Sequence, residues 1–85
     1  MTCPLSAQLV ATRQRKAATQ RKIGLFQAMA DTLFIRADEQ ERWREACMAS
    51  NNPDGAGTWQ RLANHTRNEA HEYVRRIDLL QENLR

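Results

Sequence analysis

Residues that interrupt helices are scarce in this sequence: three glycines and two prolines among 85 residues. Pro4 lies near the start and Gly24 stands alone; the others cluster in NNPDGAG, Asn51 to Gly57. No alternating β-branched run is present, so no strand is expected. No stretch approaches the roughly 20 apolar residues of a membrane span. No cationic start followed by an apolar core marks a secretory leader. These absences predict a cytoplasmic protein with no membrane partner. Cysteine is equally thin. Cys3 and Cys47 lack the C-x-x-C spacing and the further partners of a zinc site or a disulfide framework. Both read as reduced thiols, Cys47 packed and Cys3 loose.

The signatures of catalysis are also missing. There is no glycine-rich phosphate loop, no G-x-S-x-G and no arguable carboxylate pair. Cys47 and a distant histidine match no thiol-nucleophile motif. His65 and His71 are six residues apart, whereas metal pairs on one helix sit three or four apart. His65 and Glu69 have that spacing, but two ligands do not make a site. A short helical chain also has little room for a water-excluding pocket. The expectation is no enzyme activity, no catalytic or metal site, no cofactor and no small-molecule substrate.

What the sequence has is helix-forming material. Ala, Leu, Gln, Glu, Arg and Lys dominate outside NNPDGAG. The clearest helix opens near Thr58, read as an N-cap after Gly57. Trp59, Leu62, Thr66, Ala70, Tyr73, Ile77, Leu80 and Leu84 then recur at steps of three or four, an apolar stripe at heptad-like spacing. Upstream, Leu5 and Leu9 share a face with Ile23, but Thr12, Lys16, Thr19 and Gln20 lie between them. From Ile23 to Ile35 apolar residues cover most of the circumference, which predicts burial on several sides. Asp38 and Glu41 read as an acidic capping box, hence a break near Ala37.

The predicted fold is all-α, a single helical domain over 1–85 with a basic segment at 1–22 and a loop at 51–57. It is a small bundle of three helices, roughly 5–36, 39–50 and 58–84, or a long two-helix hairpin. Three helices are preferred because one helix from Ser6 to Ala49 would exceed about 60 Å.

Leu, Ile, Val and Phe supply only 15 of 85 residues, so a lone chain has little apolar area with which to stabilise itself. Trp43 and Trp59 flank the loop and are expected to pack together and close it. Charge is lopsided. The net charge is +3, yet residues 1–23 hold Arg13, Arg15, Lys16, Arg21 and Lys22 and no acid. At 100° per residue these five scatter around a helix, which suits a wetted surface at least as well as a polyanion contact.

The length, the Asn-Pro turn in SNNPDG and the ending RRIDLLQENLR are similar to type III secretion needle subunits. Ile77, Asp78, Asn83 and Arg85 fall at places comparable to that family's C-terminal Ile-Asp, Gln-Asn, Arg pattern. The resemblance covers about a third of the chain and implies a polymerising helical hairpin; the basic N-terminal third departs from it.

Three functional expectations follow. The first is a small non-enzymatic protein-binding or regulatory module. It docks on another protein or on itself, as a homodimer or other homo-oligomer, through Trp59, Tyr73, Ile77, Leu80 and Leu84. The second is a nucleic-acid-binding accessory protein using Arg13, Arg15, Lys16, Arg21 and Lys22 on phosphates. The third is the polymerising hairpin.

Overall fold

A computed structural model describes residues 4–85, with side chains from residue 7 onward. The described residues form two helices, α1 (Pro4–Ala49) and α2 (Pro53–Glu82), and no strand occurs among them. They pack on one another as an antiparallel hairpin with principal extents of 76 × 14 × 14 Å. Of the two architectures the sequence allowed, the hairpin forms and the three-helix bundle does not.

The predicted break near Ala37 is absent because the seam runs straight through it. Buried Ile23, Ala30 and Ala37 on α1 and buried Ala56, Ala63, Ala70 and Ile77 on α2 each recur every seven residues. Three residues after each lie Phe26, Leu33 and Gln40 on α1 and Trp59, Thr66, Tyr73 and Leu80 on α2, all buried or half-buried; half-buried Arg44 and Cys47 carry the same spacing one step further. Two positions per seven, three and four apart, define a continuous seam between two helices. Asp38 and Glu41 do not cap a new helix. They face Arg67 across the seam, with Glu41 Oε1 2.9 Å and Asp38 Oδ1 4.0 Å from its Nη2.

The seam is built largely of alanine, and no large side chain is fully buried among the described residues. Small residues at a helix contact let the axes approach closely, but each removes little apolar area from water. Larger groups sit at the margins. Phe26 lies against Tyr73 with ring centroids 5.5 Å apart, and the Phe34 ring meets His71 edge-on at 5.3 Å. Near the turn the seam becomes polar: Gln40 Oε1 and Arg44 Nε are buried without a hydrogen-bond partner.

The turn is shorter than predicted. Asn51 takes the left-handed conformation at φ 57°. Its N–H donates to Met48 O at 3.1 Å and the Asn52 N–H donates to Cys47 O at 2.8 Å. This pair of bonds closes the C-terminus of α1 as a Schellman motif. Asn52 then caps α2, its Oδ1 accepting from Gly55 N at 3.1 Å. Pro53 follows at the first helical position, where its missing N–H costs nothing. Residues 53–57, read from sequence as loop, are therefore the first turns of α2, and Thr58 lies inside that helix. Trp43 and Trp59 stack at 5.9 Å beside the turn, as their positions suggested.

One partner helix can cover only one side of α1. Ile23 and Ala30 are buried, but Leu25 and Ile35 stay about 60% exposed, so the segment 23–35 is not enclosed on several sides as predicted.

Candidate interaction surfaces

Apart from Leu62, which is exposed, the stripe predicted on α2 is occupied from within the chain. Ile77 is buried, and Trp59, Tyr73, Leu80 and Leu84 are half-buried. Tyr73 meets Phe26 and Trp59 meets Trp43, so this face looks onto α1 rather than outward. The greasy seam that seemed to need an external cover is covered by the first helix.

A different apolar side remains open. Met29 and Trp43 on α1 and Leu62 on α2 each precede a seam position by one residue, and Leu25 and Leu79 lie one helical step further out. In an antiparallel hairpin these positions share one long side. Ala28, Met29, Thr32 and Leu33 line a shallow groove there with Glu69 and Tyr73 from α2. Leu25, Met29, Trp43, Leu62 and Leu79 are all exposed. The register set by the Phe26–Tyr73 and Trp43–Trp59 pairs puts Leu25, Met29 and Leu79 towards the open end. Trp43 and Leu62 lie towards the turn, with Thr32, Arg36 and Glu69 between the two groups.

The basic residues lie elsewhere. Burial on α1 fades upstream of Ile23; Ala17 and Thr19 are half-buried, and residues 12–16 are all exposed. That stretch runs on as a bare helix beyond α2. Arg13, Arg15, Lys16, Arg21 and Lys22 are exposed, and none forms an ion pair among the described residues. In the hairpin body, by contrast, Arg67 and Arg75 are paired, the latter with Glu72 at 2.6 Å. Arg76 lies over the Tyr73 ring at 5.3 Å.

His65 Nε2 and Glu69 Oε1 are 2.8 Å apart on the surface of α2. No group of three or more metal-ligating side chains occurs among the described residues. Cys47 is a half-buried free thiol in the seam; Cys3 lies outside the described residues. No helix among them is long and apolar enough to cross a membrane. No family model, no curated protein and no solved structure matches the chain.

Proposed function

We propose that this protein is a non-enzymatic helical-hairpin module of the cytoplasm that works by docking. Its first partner is a second copy of itself, held through the side that carries Leu25, Met29, Trp43, Leu62 and Leu79. The observation that carries this reading is the pairing of an alanine-lined seam with a second apolar side left open. A seam of small residues leaves a two-helix unit marginal. Covering five large apolar side chains would add about 1.5–3 kcal/mol for each one fully buried.

The layout of that side favours a second copy over an unrelated partner. Its two apolar groups are separated by a polar centre. A two-fold, antiparallel pairing sets Leu25, Met29 and Leu79 of one copy against Trp43 and Leu62 of the other. Such a contact is self-complementary and closes on itself. Side by side, the two hairpins have length enough for the ~800 Å² per partner of a standard interface. Trp59, Tyr73, Ile77, Leu80 and Leu84, expected from sequence to be the interface, support it from behind by holding α2 against α1.

Light scattering and sedimentation at graded concentration test the reading. The expected species is a dimer. Leu25→Glu with Leu62→Glu should return it to monomer with helicity retained, because both side chains are exposed in the single hairpin. A helical chain that stays monomeric at about 100 µM removes the proposal. Open-ended growth would replace the closed pair with the polymerising hairpin that the needle-subunit resemblance implies.

A further inference from the structure

We infer that the bare N-terminal stretch of α1 binds duplex DNA through its phosphates. The inference uses a different part of the molecule from the apolar side and does not depend on it. Three observations carry it. Arg13, Arg15, Lys16, Arg21 and Lys22 stand within ten residues with no acid among them. All five are exposed and unpaired among the described residues, while Arg67 and Arg75 of the body are ion-paired. Arg13, Arg15 and Lys16 also stand on the part of α1 that protrudes past α2, and Arg21 and Lys22 lie exposed beside the last turns of α2, so an external ligand reaches all five without unpacking the hairpin.

Among external ligands, the distribution of charge favours duplex DNA. At 100° per residue the five cations fall all round the helix. A helix seated on a protein surface would bury some of them and leave the rest idle. A helix lying in a DNA major groove, about 12 Å wide, has a phosphate wall on either side. Cations pointing both ways then meet phosphate at once. Residues 7–16, which carry Arg13, Arg15 and Lys16, extend about 15 Å, enough to cross that groove, with Arg21 and Lys22 at its edge. A-form RNA is the poorer host because its deep, narrow major groove does not admit side chains. An anionic membrane is a poor one too: an interfacial helix needs one broad apolar face, and the only exposed apolar side chains larger than alanine among residues 7–22 are Leu9 and Val10. A second copy of the same stretch is repelled by its like charge. Contacts to phosphate position a protein without reading sequence, so the binding is sequence-tolerant.

The test uses the full chain and a fluorescein-labelled 20-base-pair duplex, followed by anisotropy from 50 to 300 mM salt. Each phosphate contact contributes about −0.9 to the log–log slope, so three to five contacts give roughly −3 to −4.5. Replacing Arg13, Arg15, Lys16, Arg21 and Lys22 together by Gln should weaken binding at least 100-fold. Helicity and oligomeric state should not change. Arg42→Gln with Arg61→Gln and Arg75→Gln, which alters three charges on the body, should change affinity less than threefold. The RNA duplex of the same sequence should bind more weakly. No binding at 50 mM salt, a slope near zero, or equal loss in the body variant overturns the inference. So does binding of polyglutamate or of phosphatidylserine vesicles as tight as that of the DNA.

Discussion

Two glycines on opposite sides of the molecule carry opposite constraints. A Cβ on Gly24 would meet nothing within 4 Å, and Gly24 lies on an exposed side of α1. Glycine there costs about 0.8–1 kcal/mol of helix propensity relative to alanine. Gly55 sits in the first turn of α2, where a Cβ would come within 2.6 Å of Asn52 Nδ2 and 3.1 Å of Cys47 Sγ. The asparagine amide cannot retreat freely, since its Oδ1 is the cap on Gly55 N. Urea unfolding of the two variants should therefore separate them. Gly24→Ala gains up to about 1 kcal/mol; Gly55→Ala loses about 1 kcal/mol or more as the cap is displaced. If both substitutions stabilise, the tight joint between Asn52, Gly55 and Cys47 is not a constraint on the fold. At this scale the sequence was only half legible. Asn and Pro mark the turn correctly, but turn-forming residues also suit the first turn of a helix, so a loop over 51–57 exceeds the true turn by the five residues 53–57.

The helices themselves carry their pattern in alanine, which an apolar-periodicity reading does not single out. Ala30 and Ala37, like Ala56, Ala63 and Ala70, stand seven apart. Read as filler, they leave α1 with no single apolar side; read as seam, they align it with α2 along its length. The polar run Thr12, Lys16 and Thr19 is then explained as well. It continues the seam positions to the end of α2, where Thr19 is still half-buried, and on into the exposed stretch of α1 that α2 no longer covers. The stripe on α2 was legible from its spacing, but periodicity identifies a face and not what covers it. The open side became definable only once the seam was known, because Leu25, Met29, Trp43, Leu62 and Leu79 are recognised as extra by lying outside it. The role of alanine gives a direct test. Ala63 is fully buried, and Ala63→Leu would force the axes apart or strain the side chain, at a typical cost of 1–3 kcal/mol. Ala18→Leu, on the exposed surface of α1, should leave stability within about 0.5 kcal/mol. Thermal melts of the two variants compare them, and a stabilised Ala63→Leu would mean the seam is loosely packed.

At the scale of the whole molecule, the hairpin divides its labour along its length. The turn end is closed by the Schellman motif, the Asn52 cap and the tryptophan stack. The middle is held by alanine and by Arg67 between Asp38 and Glu41. The far end of α1 is unpaired and cationic. A two-fold pairing of two such rods through the open apolar side sends their basic ends in opposite directions, so the like charges that would oppose association stay far apart. In that arrangement much of the stability of each chain resides in the pair, and unfolding must depend on concentration. A tenfold increase in concentration favours the dimer by about 1.4 kcal/mol, or half that per chain, which for a chain of this size corresponds to roughly 3–6 °C in Tm. Calorimetry at 10 and 100 µM should record that rise in the native sequence. The Leu25→Glu, Leu62→Glu variant should melt lower and at one temperature regardless of concentration. Equal Tm values for the native chain at both concentrations, with full helicity, would mean that the alanine seam alone holds the hairpin and that the open side has no partner in a second copy.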